Sequence, residues 1–271
     1  MSAGAAALPA SAYIPAGDGI WSSSELTRGP WDPGHQHAGP PIALVARQIE
    51  RAAAPLGLTH MARLTANLLR PIPIAELAVV VRTDYAGRNV AHFSATLCAA
   101  GKEVARFTAL VQREAELALP EGLTGHPLPR APLPPESSPP AKFPFGSKLI
   151  GYADLMEGRV AEGVFFRGPC AIWFRLRRPL IEGEAPSPIE RVAVAADSGN
   201  GISSILDFKR YLFVNSDLTI NLLRRPEGEW ICIEARTLFG PASGGLAEAR
   251  IYDAAGLVGR STQSLALRLR A

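Results

Sequence analysis

The sequence predicts an α+β fold that uses one plan twice, a hydrophobic helix followed by an antiparallel sheet. Three observations carry this. First, Arg63-Leu-Thr-Ala-Asn-Leu-Leu-Arg-Pro71 returns as Asp217-Leu-Thr-Ile-Asn-Leu-Leu-Arg-Arg-Pro226, so Thr65, Asn67 and Arg70 recur as Thr219, Asn221 and Arg224, each 154 residues on (219 − 65 = 154). Second, Ala99-Ala-Gly-Lys-Glu-Val-Ala-Arg-Phe-Thr108 aligns, with one gap, to Ala254-Ala-Gly-Leu-Val-Gly-Arg-Ser-Thr262, which places Arg106 and Thr108 again 154 residues before Arg260 and Thr262. Third, the apolar residues shift from helical spacing to a period of two at Arg63. A repeat this long marks a duplicated domain, because solenoid units run to about 20–50 residues.

In chain order, residues Met1 to Ser24 are rich in Ala, Ser, Gly and Pro, and Gly29 to Pro41 read as a turn-rich loop. A helix follows over Ile42–Ala54. Pro41 suits its first turn, where a missing N–H costs nothing. Ile42, Val45 and Ile49 make its apolar face, and Pro55 and Gly57 end it. Four strands are expected at Arg63–Leu69, Leu77–Tyr85, Ala91–Ala99 and Glu103–Gln112, separated by Pro71-Ile-Pro73, Ala86-Gly87 and Ala100-Gly101. The next stretch carries so many prolines that it reads as a semi-extended linker unable to donate to a sheet. The second copy then has strands at Arg159–Arg167 and Ala171–Arg178, and a turn and short helix over Asp197–Lys209 with Ile202, Ile205 and Leu206 inward. A meander from Tyr211 to Arg270 completes it. The expected units are 1–115, a Pro-rich linker 116–145, and 146–271.

Composition narrows the function. The chain has 271 residues and 47% hydrophobic content, enough for a sizeable core. Its mean hydropathy is +0.09, yet no apolar run reaches the ~18–20 residues that cross a bilayer. Met1 to Gly19 holds no Lys or Arg, so a signal or transit peptide is not expected and a cytoplasmic location is. A net charge of +3 without a Lys/Arg block gives no sign of nucleic-acid binding. The three cysteines, Cys98, Cys170 and Cys232, are widely spaced and form no CxxC pair, so they read as small core side chains.

All five histidines, His35, His37, His60, His92 and His126, precede the second copy. His35-x-His37 lacks the surrounding carboxylates or cysteines of a metal site. No GxSxG elbow exists, and Gly199-Asn-Gly201 lacks the third glycine and the βαβ setting of a dinucleotide fingerprint. What stands out is a polar trio in apolar settings. Asp197 follows Val192-Ala-Val-Ala-Ala196, Ser216 opens the repeated strand, and Gln263 lies in the last one. Singly they read as a helix N-cap, a strand-entry residue and an exposed strand face. Together they read as a site, because the first copy has Ala62 and Ala109 at the places of Ser216 and Gln263.

The repeated helix-plus-sheet halves, the strand ending in Arg-Pro and the placement of Asp197, Ser216 and Gln263 resemble the TesB-type acyl-CoA thioesterases (acyl-CoA thioesterase II). The resemblance covers nearly the whole chain outside the linker. It implies the double hotdog fold, in which an antiparallel sheet wraps each central helix. It also implies a hydrolase of lipid metabolism acting on an acyl-CoA partner, with no cofactor, no metal, no nucleic acid and no membrane span; homo-oligomer formation is left open. Asp197, Ser216 and Gln263 are then the expected catalytic set. Gly39, Ser198 and Thr219 are the expected substrate-binding residues, although Ala38 replaces one glycine of the family's pair. The chemistry fits: Asp197 takes a proton from water, Ser216 and Gln263 hold that water, and an amide near Gly39 or Ser198 stabilises the oxyanion. A hotdog hydratase or dehydratase would use an Asp–His pair, and no histidine follows His126. A non-catalytic acyl-CoA-binding module would keep the groove without the trio.

Overall fold

The computed structural model describes residues 7–120, 128–143, 149–242 and 244–270. His126 and the linker residues 121–127 and 144–145 lie outside the described residues. Strands β1 (Tyr13–Gly17) and β2 (Ile20–Ser23) form a hairpin that precedes helix α1 (Gly39–Ala53). Strands β3 (His60–Leu68), β4 (Glu76–Ala86), β5 (Val90–Ala99) and β6 (Lys102–Gln112) follow. The second half holds α2 (Tyr152–Leu155), β7 (Met156–Glu162), β8 (Cys170–Leu176), α3 (Pro188–Ala196) and α4 (Gly199–Ser203). It ends with β9 (Tyr211–Asn215), β10 (Asp217–Leu222), β11 (Ile231–Phe239), β12 (Gly244–Asp253) and β13 (Gly256–Leu269). Twelve of these strands run in the order β1-β2-β4-β5-β6-β3-β10-β13-β12-β11-β8-β7 in one sheet, and β9 pairs with β13. Every pairing between these strands is antiparallel.

The register explains why this is a double hotdog. At the seam β10 pairs with β3, and Thr219 faces Thr65, its own counterpart in the repeat. Asp217 faces Asn67 and Asn221 faces Arg63. Adding 154 to 63 gives 217, and to 67 gives 221, so the two pairs exchange under the repeat. That is the signature of an approximate twofold axis between Thr65 and Thr219. The next strands agree: Thr65 pairs with Thr108 and Asn67 with Arg106, while Thr219 pairs with Thr262 and Asn221 with Arg260.

Side-chain alternation places the core. In β5, Ala91, Phe93, Ala95, Leu97 and Ala99 turn inward, and in β6 Ala105, Phe107, Ala109 and Val111 do. A one-residue slip would expose all of them at roughly 1.5–3 kcal/mol for each large side chain, so the register is strongly fixed. Helix α1 lies on this surface with Ile42, Leu44, Val45, Ala46 and Ile49 buried. It packs against α3, and Gly39 is the contact that allows it. A Cβ there would sit 2.5 Å from the Val194 carbonyl oxygen.

Three expectations need correction. The run Val192–Ala196, read above only as the apolar stretch before Asp197, is the end of helix α3. Ser187 caps that helix, its Oγ accepting from the Glu190 amide while Glu190 accepts from the Ser187 amide at 2.5 Å. Asp197 is therefore the residue after a helix, with helical angles (φ −63°, ψ −19°), and not the start of one. The Pro-rich segment does take part in hydrogen bonding along the sheet: the Ala141 amide donates to Gly158 and the Val160 amide to Pro139, both at 2.8 Å. It thereby covers the edge of β7, which would otherwise offer open pairing groups. The hairpin β1–β2 lay in a stretch whose small residues and prolines gave no alternation to read.

The repeated arginine has found a partner in one copy. Arg224 holds the fully buried Asp253 carboxylate through two bonds of 2.6 Å, and the amides of Glu227, Ala255 and Gly256 add to it. At the same hairpin position the first copy has Ala99, which pairs with Lys102 as Asp253 pairs with Gly256. Burial pushes the Asp253 carboxyl up, but the Arg224 guanidinium and the amides outweigh it, and the net direction is down. Its stabilisation is thus present above the ordinary carboxylate range and lost as pH falls through the lowered folded value. Asp253→Asn is expected to cost about 3 kcal/mol at neutral pH, read as a fall in the urea midpoint, with the difference from wild type shrinking in acid.

Candidate active site

The site forms where the first-half loop ahead of α1 meets the break between α3 and α4. The loop is tied down before any chemistry is considered. The His37 amide donates to the Thr27 carbonyl at 2.7 Å and the Gln36 amide to Ile72 at 2.8 Å. The Gln36 side chain accepts from the Tyr13 hydroxyl at 2.6 Å and donates to Pro73 at 2.7 Å. The His37 ring then stacks on Tyr152, with centroids 3.8 Å apart and planes 6° from parallel. Tyr152 is itself fixed. Its hydroxyl donates to the Val194 carbonyl at 2.9 Å and, having one proton, accepts from Ser198 Oγ at 2.9 Å.

This fixed ring faces Asp197. His37 Nδ1 lies 2.9 Å from Asp197 Oδ2. Asn215 Nδ2 donates to Oδ1 at 2.9 Å, and Gln263 Nε2 reaches Oδ1 at 3.3 Å and the Asp197 carbonyl at 3.1 Å. Gln263 is held at its other end, where Oε1 accepts from the Asn200 amide at 2.9 Å. The Asn200 side chain bonds the Phe213 carbonyl. The Gly39 amide lies 3.2 Å from His37 Nδ1. A nitrogen that donates to a carboxylate cannot also accept, so this amide serves the same carboxylate. Prolines follow at the next two positions and bring no N–H, so Gly39 supplies the helix-start donor.

Asp197 is almost fully buried, and burial alone would push its carboxyl up. The His37 ring, by its charge when protonated and by its hydrogen bond, together with the Asn215 bond and the Gly39 amide, overcomes that, and the carboxyl ends below its ordinary value. It is ionised at neutral pH. Burial keeps the Tyr152 phenol well above its usual value, so it acts as a neutral hydroxyl.

Asp197 and Gln263 are thus brought together as expected, and Ser216 is not with them. Ser216 is exposed between β9 and β10, its amide bonded to Ser264 and its carbonyl to Leu68. Neighbouring residues of an extended chain face opposite ways, and it is Asn215 that points to Asp197. Ser198 supports Tyr152, and its amide donates to Ala195 at 3.0 Å, so that amide is not open to an oxyanion. The Gly39 amide is also engaged. Thr219 lies at the seam, its hydroxyl 3.2 Å from that of Thr65, and among the described residues it has no bond to the Asp197 cluster. His35 turns to Asp32 while His37 turns to Asp197, so the two do not converge on one ion. Among the described residues no cluster of three or more His, Cys, Asp or Glu could hold a metal.

The residues missed from sequence are His37, Asn215, Tyr152 and Asn200. His37 lay in view, but only the α1–α3 contact shows that its loop reaches the end of α3. Among the described residues the first copy has no equivalent cluster: Met61 stands opposite Asn215 (215 − 154 = 61) and Ala109 opposite Gln263 (263 − 154 = 109). Both are buried in the core.

Beside the cluster lies an aromatic group. Phe213 packs edge-on against Trp31, Phe208 and Phe166. Phe166, Ile205, Leu206 and Phe208, with Arg167 and Asp207, line an open cleft of about 620 Å³.

The seam and the helices packed on one antiparallel sheet define a double hotdog protein. The family model for the acyl-CoA thioesterase N-terminal domain matches residues 27–112, and that for the C-terminal domain matches residues 133–267. The chain belongs to the acyl-CoA thioesterase family. No curated protein sequence matches it. Solved structures share its fold, three of them as follows. A conserved Alicyclobacillus acidocaldarius protein with the hot dog fold is 16% identical, with TM-score 0.70 over 93% of this chain and 94% of that one. The tesB protein of Mycobacterium avium subs paratuberculosis is 16% identical, with TM-score 0.66 over 94% and 96%. The acyl-CoA thioesterase II TesB2 of Mycobacterium marinum is 15% identical, with TM-score 0.64 over 96% of each chain. No helix among the described residues is long and apolar enough to cross a membrane.

Proposed function

We propose that the chain hydrolyses an acyl-CoA thioester, with water activated by the His37–Asp197 pair. His37 Nε2 takes a proton from water as the water oxygen attacks the thioester carbonyl. The tetrahedral intermediate collapses, the carbon–sulfur bond breaks, and the CoA sulfur leaves with the proton held on His37. Free acid and CoA result. Asp197 keeps the Nδ1–H tautomer and balances the charge of the imidazolium. Gln263 and Asn215 hold Asp197 in place. The acyl chain lies in the cleft beside Phe213, whose volume falls in the range of small-molecule sites, roughly 300–1,000 Å³.

One observation carries this assignment of roles. Both Asp197 oxygens are already engaged by His37, Asn215 and Gln263, whereas His37 Nε2 has no partner among the described residues. A base needs a free lone pair within reach of its proton, and the imidazole has one. This moves the proton-accepting role from Asp197, where the sequence placed it, to its partner.

The same pair favours a second reading. An Asp–His pair is what a hotdog hydratase would use, and His37 supplies the imidazole that the second half lacks. The two family matches weigh toward hydrolysis. The test is turnover of saturated acyl-CoAs of graded length, followed by free thiol release, beside an enoyl-CoA followed by loss of its conjugated absorbance. Thiol release from the saturated series is expected. Loss of absorbance without thiol release would replace hydrolysis by hydration.

A further inference from the structure

We propose that the cleft between the end of β8 and the start of α3 is an anion site that takes a phosphate or diphosphate group. It measures about 200 Å³, and Arg175, Arg177, Arg178, Arg191, Pro186 and Glu229 line it. The lining thus carries four guanidinium groups against one carboxylate. Arg175 is committed: it pairs with Glu157 at 2.6 Å and with Glu229 at 3.4 Å, and it lies over the Trp230 ring. Glu229 is largely exposed and serves that arginine. Arg177 and Arg178 have no side-chain partner among the described residues.

Arg191 carries the argument further. One of its terminal nitrogens donates to the Pro186 carbonyl at 2.7 Å, but its Nε is buried with no hydrogen-bond partner. A buried donor left unmet is costly, and more so on a charged group. Burial pushes the Arg191 guanidinium down from its usual range; Glu229 and Glu190 oppose this, and the like charge of Arg225 adds to it. An acceptor oxygen from an anion would satisfy Nε and neutralise the crowded charges at once. Guanidinium groups match the oxygens of a phosphate in pairs, which selects phosphate over a point anion. The cleft is too small for a whole cofactor-sized ligand and suits a head group.

The source can be a free anion or the nucleotide end of CoA, which bears a diphosphate and a 3′-phosphate; the CoA source rests on the thioesterase reading. Arg191 and Asp197 lie six residues apart on one run of helix (197 − 191 = 6), an axial rise of about 9 Å. The CoA source requires one molecule to hold its phosphates at the arginines and its thioester at His37, and the kinetics below test that requirement.

The test uses the full chain, with calorimetric titration of pyrophosphate and of CoA, and kinetics with acyl-CoA and with the phosphate-free acyl-pantetheine. Wild type is expected to bind pyrophosphate, and Arg178→Gln and Arg191→Gln to weaken it at least tenfold. The same variants should raise KM for acyl-CoA by a similar factor, leave kcat within about twofold, and leave KM for acyl-pantetheine unchanged. Arg178 is half-buried and without a side-chain partner among the described residues, so its variant keeps the test open if Arg191→Gln fails to fold. Loss of pyrophosphate binding with an unchanged KM for acyl-CoA would support a free anion as the source. No binding of pyrophosphate or CoA to folded wild type, or binding unchanged in both variants, would overturn the site. CoA binding that is lost in the variants, in a protein that hydrolyses no thioester, would keep this site and remove the thioesterase reading instead.

Discussion

Asp197→Asn is expected to lower kcat about 10²–10⁴-fold while the protein stays folded, which at 1.36 kcal/mol per decade is about 3–5 kcal/mol of barrier. The argument follows the hydrogen-bond directions around the side chain. Asn215 Nδ2 and Gln263 Nε2 both donate toward Oδ1. An asparagine keeps those bonds only by turning its oxygen to them, which turns its NH₂ to His37 Nδ1. That nitrogen must then accept, the ring proton moves to Nε2, and the imidazole has no lone pair left for water. A buried amide in place of the aspartate of a triad acts in this way, through the wrong tautomer. The opposite orientation sets an NH₂ against two donors at a cost of about 1–3 kcal/mol. Chemical denaturation separates the two outcomes from unfolding. Stability should fall most at neutral pH, because the Asp197 carboxyl is held below its ordinary value and its contribution is lost as pH drops through that folded value. A folded Asp197→Asn protein with near-wild-type turnover would show that the carboxylate only positions the loop.

The fold was legible because duplication writes the same register twice. Thr65, Thr108, Thr219 and Thr262 could be matched by offset alone, and they turn out to be paired neighbours across four adjacent strands. Helix α1 was legible from its spacing and its flanking Pro and Gly. Helix α3 was not recognised, although Ser187-Pro-Ile-Glu190 is a capping box followed by an apolar run. Five consecutive small or β-branched residues buried on all sides carry no period by which to tell helix from strand. That error also misplaced Asp197 at a helix start. Gln263 was legible because a polar residue replaces Ala109 of the first copy at a core position. Ser216 was a choice one residue out, since the repeat could not tell which of Asn215 and Ser216 faced inward at the break between β9 and β10. His37 could be seen but not assigned, because the contact it makes crosses 160 residues of sequence (197 − 37 = 160). Offsets within a repeat say nothing about contacts between its copies.

His37→Gln gives the other large effect. Glutamine keeps a donor toward Asp197 and fills much of the same volume against Tyr152, but it has no nitrogen that takes a proton. A loss of about 10²–10⁴ in kcat is expected. The decisive measurement is the double variant His37→Gln/Asp197→Asn. If Asp197 acts by orienting His37, removing both costs no more than removing the more important one, since residues that work as a unit are strongly non-additive. If each acted on water separately, the losses would multiply to about 10⁴–10⁸. Gln263→Ala belongs in the same series. It frees Asp197 from one bond and leaves the Asn200 amide without its partner, so kcat should fall while His37 and Asp197 stay paired. Thr108→Val, on the first copy's strand where no cluster exists, should leave kcat within a few-fold. Multiplying losses in the double variant, or near-wild-type turnover by folded His37→Gln, would return the proton-accepting role to Asp197 and leave His37 as the cation that keeps it ionised.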